Sequence, residues 1–493
     1  FIGGDPNPYG PEIELKGAGP GNGASIAISR ASHVAVKGLC INGFDASVIG
    51  IAGAQPESGD VTEDIEVTGC YLGIDPTGTE CGRQSGTCLS AARVRGLRIG
   101  GDDLQERNIL SCARSTFISL GYCGDVEIVN NIIGTDRTGT ADLFSAPLGG
   151  VHLSHTVGPV LFRDNQVCNA YWELVNISHT ECDNGQVTVS DNRLGEGLDG
   201  YPMGADEGVL IGYSPGHLID ENIIAHSHGG PGIYLIGDIT DYVTISRNSI
   251  YECRGGIDLL NPGVENFHGV DFVDGVYGPG VNEEIDTPLC ESMNTDTEST
   301  TVYFRCMRDC VVEIFIADPS VRGVCSEAGY DYVYSGMTYL GDAEEIVQGP
   351  VWSTYRYTMT PALAPGTRVT CTATNGNGST SEFGCTCEVP LAGEIAEGCI
   401  PEGYAFEAFA PNQGRDGIDL RYRIPEPALV QIRVYDLAGH QVAVITGGPE
   451  QAGEHTVLWK PRLENGGDLP NGTYLVRLTA DQFVATREVV IVR

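Results

Sequence analysis

The chain has 493 residues, with 66 acidic against 28 basic side chains, a net charge of −38, 67 glycines and 17 cysteines. That balance repels phosphate backbones and anionic lipid, so nucleic acid is excluded as a partner, and no apolar run reaches the roughly 18 residues needed to span a bilayer as a helix, so the chain is not transmembrane by that route. A hydrophobic content of 41% is too high for a disordered polyelectrolyte, and glycine at about twice its usual ~7% points to folded, turn-rich β structure.

At roughly 100 to 200 residues per domain, the length predicts two to four domains. Cysteines spread along the chain without paired C-x-x-C knuckles fit an oxidising compartment better than a cytosolic metal protein. The chain starts at Phe1 without a signal-peptide stretch, so an exported form is expected to have been trimmed.

From Ser32 to Gly263 one pattern recurs: apolar, any, apolar, two spacers, a small or polar residue, any, apolar. Its copies start at Val34, Ile65, Leu97, Val126, Val160, Val187, His217 and Val243, with a fainter first copy at Ile13. The period-two alternation predicts a short strand in each copy, and second strands follow at Val151-His152-Leu153, Val209-Leu210-Ile211, Ile233-Tyr234-Leu235 and Ile257-Asp258-Leu259. Strands repeating at this period predict the coils of a parallel β-solenoid.

Five residues past the last five starts stand Asn131, Asn165, Asn192, Asn222 and Asn248. Stacked coils would align them into an amide ladder, since a buried amide left unbonded costs ~1 to 3 kcal/mol. Leu39, Cys70 and Asp102 occupy the position in earlier copies, so the ladder is expected to stop there. Two loops, LGIDPTGTECG and IGTDRTGTADL, place Asp75 and Asp136 61 residues apart on one side of the solenoid. As clustered oxygen donors Asp75 and Asp136, with Thr77 and Thr138, would suit calcium; the alternative is a T-G-T turn with a capping aspartate.

IGGDDLQERNIL, NNIIGTDRTGT and CRGGIDL resemble, in order, the motifs of bacterial right-handed parallel β-helix repeat proteins of the extracellular, adhesin-like kind. The resemblance covers Phe1 to about Asp286 and implies about nine coils. NPYGPEIELKG, interior to the solenoid in the relatives, lies almost at the amino terminus here.

Residues 287–391 read as a small β-sandwich from the alternating strings TTVYFRCM, VVEIFIAD, STYRYTMT and TRVTCTATN. VTCTATNGNGSTSEFGCTCEV resembles the ending of the Ig-like domain that follows such β-helices. Tyr330, Tyr332, Tyr334, Trp352, Tyr355 and Tyr357 cluster here, as sandwich packing or as a sugar-stacking platform. A linker over 392–415 leads to a second sandwich, 416–493. LRYRIPEPALVQIRVYDLAGHQV, AGEHTVLWKP and LPNGTYLVRLTADQFVATREVVIVR resemble the carboxy-terminal sorting domain of type IX secretion cargo. That resemblance implies export to the outer cell surface of a Gram-negative bacterium of the Bacteroidota or an allied phylum. Residues 416–493 hold 8 basic and 10 acidic side chains, so the acidity belongs to the first two domains. The expected fold class is therefore all-β: a right-handed parallel β-helix followed by two small Ig-like β-sandwiches.

No G-x-S-x-G, P-loop or H-E-x-x-H motif occurs. Asp103 and His228 stand about four coils apart, too far for one site, and His226 with His228 reads as a turn. Clustered acids at one height on neighbouring coils are not evident from the spacing, so no enzymatic activity is expected. Short loops suggest disulfides Cys81 to Cys88 and Cys168 to Cys182, with Cys306 to Cys371 across the sandwich. A solenoid beginning inside a coil exposes unpaired strand edges, which predicts a homo-oligomer by head-to-tail contact, a filament subunit or adhesin. The alternative is a secreted polysaccharide-binding or polysaccharide-degrading protein with surface glycans as partners.

Overall fold

The computed structural model describes residues 2–3, 11, 13–17, 25–53, 62–143, 147–180, 185–237, 239–260, 281–285, 287–295, 297–319, 335–348, 352–384, 386–389, 396–397, 405–409, 418–424, 428–436, 440–450, 453–461, 469–480 and 483–491. The described part of the chain is β structure apart from one 3-10 turn at Val281–Glu284. Three nine-stranded sheets of parallel strands form a β-helix, each coil giving one strand to each sheet. Four antiparallel sheets of five, four, three and four strands follow.

The apolar repeat builds the first sheet in strict register. Ile65 pairs with Leu97, Leu97 with Val126, Val126 with Val160, and Val160 with Val187. These side chains are at most 2% exposed and share one core with Ile118, Val151, Val175, Val209, Ile233 and Ile257 of the third sheet. The copy read at Ile13 is displaced. Ile13–Lys16 pairs with Leu39–Asn42 in the second sheet, and Ile2–Gly3 pairs with Val36–Lys37 in the first. Apolar alternation alone does not say which of three similar sheets a strand joins.

At each corner a polar column replaces strand pairing. Asn131 Nδ2 donates to Asn165 Oδ1 at 2.9 Å, and the same contact recurs from Asn165 to Asn192, Asn192 to Asn222 and Asn222 to Asn248. Each amide also donates to backbone carbonyls, as Asn165 does to Ile128 O and Arg163 O. The column extends one rung earlier than the spacing predicts, because Asn108 Nδ2 reaches Asn131 Oδ1 at 3.0 Å. In that copy the amide stands six residues after Asp102, displaced by the turn that precedes it. A second column of hydroxyls receives backbone N–H groups: Thr156 N to Thr180, Thr180 N to Ser214, Ser214 N to Thr240. A third, outside, stacks rings in the order Tyr122, His155, His179 and Tyr213, with centroids 4.6, 5.2 and 5.4 Å apart. All four occupy the left-handed region, with φ between 51° and 57°.

The last coil meets the first sandwich strand by strand. Arg247 N donates to Glu313 Oε2 and Ile245 N to Thr380 Oγ1, both at 2.9 Å. Glu252 N donates to Asp318 Oδ2 at 2.5 Å and Leu259 N to Glu382 Oε1 at 2.9 Å. Phe315 and Phe383 join the β-helix core. Side-chain acceptors thus occupy sites that a further coil would fill, which covers the open edge of all three sheets.

In that sandwich Trp352 and Tyr355 are buried, and Tyr355 OH donates to Met307 O, so both serve packing; Tyr330, Tyr332 and Tyr334 lie outside the described residues. Ala405–Phe409, within the stretch read as a linker, pairs antiparallel with Ile418–Ile424, and Phe406 enters the core of the last module. Val430, Ile432 and Val434 face that core, while Leu429, on the opposite face of the strand, points out.

The disulfides depart from the sequence reading. Cys81 bonds Cys112, not Cys88, and Cys290 bonds Cys387. Cys88 is fully buried, its Sγ donating to Leu72 O and Ser111 O. Cys112 sits at the corner of the next coil with φ 60°, so proximity between coils outweighs proximity in sequence. Cys168 is a buried thiol, and Cys182 lies outside the described residues. Cys306 and Cys371 are also buried thiols; the strands that carry Cys290 and Cys387 hold the bridge between the two sheets instead.

Candidate active site

Asp75 and Asp136 do not come together as a cation site. Asp75 accepts from Thr77 Oγ1 and from the N–H groups of Thr77, Thr79 and Glu80. These bonds hold its carboxyl below the usual carboxylate range, against the opposing effect of burial. Asp136 accepts from Thr138 Oγ1, Thr140 N and Ala141 N in the same way. The loops stack, with Arg137 N donating to Gly78 O at 2.8 Å and Leu198 N to Gly139 O at 2.9 Å. N–H groups converging on a carboxylate oppose a cation there, so the calcium expectation is corrected to a capping turn.

Carboxylates do converge elsewhere, on the outer side of the third sheet. Glu173 opens the strand Glu173–Ser178, Glu207 opens Glu207–Gly212, and the two are register partners on neighbouring coils, which places their backbones about 4.8 Å apart. A second outward row runs His152, Asn176, Leu210, Tyr234 and Asp258. Both rows exist because parallel pairing repeats each position coil after coil, so residues remote in sequence stand side by side.

Electrostatics separate the two glutamates. Glu173 is 8% exposed, with His152 Nε2 2.6 Å from its Oε1 and Asn176 Nδ2 donating to the same oxygen at 3.3 Å. Gly149 makes that contact possible, since a Cβ there would come within 2.2 Å of His152 Nε2. Burial, then the charges of Glu173, Asp206 and Asp258, push the Glu207 carboxyl up to about 7. Burial and the charges of Asp258 and Glu207 likewise push the Tyr234 phenol up to about 12. A carboxyl that keeps its proton near neutrality beside a second carboxyl that accepts from Asn176 offers the acid and the neighbouring carboxyl that bond hydrolysis uses.

Tyr171 and Trp172 immediately precede Glu173 and are 54% and 53% exposed, their rings edge to face at 4.8 Å. Backbone bonds lock this segment to the acids: Asp206 N donates to Tyr171 O and Glu207 N to Trp172 O at 2.8 Å. Trp172 N in turn donates to the carbonyl of Leu148, itself 58% exposed. An exposed apolar shelf therefore flanks the acid pair.

Other features do not form such a site. A cavity of about 510 Å³ opens at the opposite corner, lined by Arg107, Arg163 and Arg193 among others. Its guanidiniums are already engaged, Arg107 by Asn130, Arg163 by Asp102 and Asp164, Arg193 by Glu196. His226 is buried and stands 2.8 Å from Glu252, and His228 N donates to Ala205 O at 2.9 Å. No group of three or more metal-ligating side chains occurs among the described residues, and among them no helix is long and apolar enough to cross a membrane.

Residues 409–482 match the FlgD Ig-like domain, the last of the three modules. No curated protein matches the chain. Among solved structures the chain is similar to the enzymatically active domain of tailspike protein 2 from bacteriophage CBA120, at 10% identity over 95% of this chain and 74% of that one, with TM-score 0.29. It is also similar to dimeric latent PorU from Porphyromonas gingivalis, at 14% identity over 42% of this chain, with TM-score 0.19. The chain spans only 20% of that PorU chain. The expectation of a chain without enzymatic activity is corrected: the acids that the spacing did not bring to one height stand in register at Glu173 and Glu207. The likeness itself bears on no chemistry at such scores; the reading that follows rests on the carboxylates.

Proposed function

We propose that the protein is a cell-surface or secreted polysaccharide hydrolase working on the outer face of its β-helix. The observation that carries this is the register pair of Glu173 and Glu207, one carboxyl accepting from Asn176 with the His152 ring against it and the other pushed up to about 7. Glu207 gives its proton to the glycosidic oxygen as the C–O bond breaks. Glu173 stabilises the positive charge developing at the anomeric carbon, and water adds its oxygen to that carbon and gives up a proton to the Glu207 carboxylate, which restores the acid. Trp172 and Tyr171 offer ring faces to the apolar side of a sugar.

In the same reading the last sandwich, which resembles type IX sorting domains, directs export across a Gram-negative outer membrane. The bridges Cys81–Cys112 and Cys290–Cys387 are at home in that oxidising location. Release of reducing ends from a panel of polysaccharides tests the proposal. The wild-type chain is expected to cleave at least one polymer, and Glu207→Gln to lose about 10²- to 10⁴-fold in rate. Equal rates for the two, or no cleavage of any polymer, would overturn it.

A further inference from the structure

We infer that the polymer this site takes is an uncharged polysaccharide, seated on the Trp172 shelf and excluded if it carries carboxylate or sulfate. The inference rests on the reading of Glu173 and Glu207 as the hydrolytic pair and adds the substrate class. Three observations carry it.

The first is the composition of the face. Its outward rows read Gly50, Ser90, Ser119, His152, Asn176, Leu210, Tyr234, Asp258 and Thr87, Thr116, Gly149, Glu173, Glu207, Pro231, Gly255. Neither row holds a lysine or arginine, the side chains that would pair with an acidic sugar. Arg254, at the border, donates to Gly229 O. Hydroxyls, amides and glycines suit the hydroxyl groups of a neutral chain.

The second is the field. Residues 1–415 hold 56 acidic and 20 basic side chains, and four carboxylates, Glu173, Asp206, Glu207 and Asp258, meet at the site. A polyanion approaching this wall is repelled over a distance that salt only partly screens. Each anionic sugar placed beside Glu207 would also raise its proton affinity further, holding the acid against the transfer it must make.

The third is the shelf. Leu148, Tyr171 and Trp172 form an exposed apolar edge tied by backbone bonds to the strands carrying Glu173 and Glu207. Exposed aromatic area fixed beside an acid pair has the shape of a subsite for a neutral pyranose, whose C–H face is apolar.

Affinity electrophoresis of the full chain separates the outcomes. Glu207→Gln, which keeps the shape of the site, is run through gels holding neutral polymers (a glucan, a mannan, a xylan, a galactan) or anionic ones (polygalacturonate, alginate, a sulfated galactan). Retardation is expected in at least one neutral gel and in no anionic gel. Adding Trp172→Ala should weaken that retardation at least tenfold, while adding Leu104→Ala, at an exposed site on another turn, should not. Retardation in an anionic gel, in no neutral gel, or unchanged by Trp172→Ala would overturn the inference. The hydrolytic reading fails separately, if the wild-type chain leaves intact the neutral polymer that binds the variant. If the wild-type chain cleaves an anionic polymer and Glu207→Gln does not, that reading stands and the substrate class is wrong.

Discussion

Glu173 and Glu207 occupy the same register position on neighbouring coils, yet one accepts from Asn176 beside the His152 ring while burial and surrounding charge push the carboxyl of the other up to about 7. The fold makes this asymmetry possible: an outward row brings two acids within a strand spacing, and the small Gly149 admits the imidazole on one side only.

A raised carboxyl weakens the fold as it ionises. The unfolded chain releases the Glu207 proton near 4.5 and the folded chain near 7, so the folded state binds more protons in that window and stability falls as pH rises through it. Thermal unfolding of Glu207→Gln should therefore match the wild type near pH 4.5 and exceed it above pH 7. Parallel melting curves for the two across that range would remove the basis for a protonated Glu207.

His217 has the opposite dependence. It is fully buried, its Nδ1 accepts from Val187 N, and burial pushes its ring down to about 4 from 6.5. Between those values the unfolded state binds the proton and the folded state does not, so stability is lost as pH falls from about 6.5 to 4. Glutamine at 217 should flatten that loss in chemical denaturation measured at pH 7 and pH 4.5; an unchanged pH dependence would show that His217 titrates freely.

The amide column predicts a large cost for one interior rung. Asn165→Ala removes bonds to Asn192 Oδ1, Ile128 O and Arg163 O and leaves the Asn131 amide without its acceptor. Two or more buried groups lose partners, so a loss of about 3 kcal/mol is expected in denaturant unfolding. A loss below about 1 kcal/mol would mean that water replaces the rung.

Peptide mapping without reduction should recover Cys81 joined to Cys112 and Cys290 joined to Cys387, with Cys88, Cys168, Cys306 and Cys371 alkylated only after denaturation. Cys112→Ser should lower stability by about 2 to 4 kcal/mol. Recovery of a Cys81–Cys88 peptide would contradict the coil-to-coil bridge.

The solenoid and its amide column were legible because both follow one period: Val126, Val160 and Val187 align with Asn131, Asn165 and Asn192 at a constant offset. Asn108 escaped because its turn is longer by six residues, which moves the amide from the position of Asp102 to 108. The acid pair escaped for a larger version of that reason. Val160 and Val187 are 27 residues apart, whereas Glu173 and Glu207 are 34 apart, because the loop between Gly195 and Asp206 enlarges that coil. Loop length does not change which residues pair, so sequence separation misjudges height on the solenoid. The string NGNGSTSEFG was recognisable, but its work was not: Gly378, Ser379, Thr380 and Glu382 bond the last coil, a contact set by the meeting of two domains.

The pH dependence of kcat/KM for polysaccharide hydrolysis, measured on the wild type and Glu207→Gln, tests the central claim most directly. The account predicts that wild-type activity falls above about pH 7 as Glu207 loses its proton, and that the variant is reduced about 10²- to 10⁴-fold and lacks that limb. A variant that keeps both the rate and the alkaline limb would contradict it.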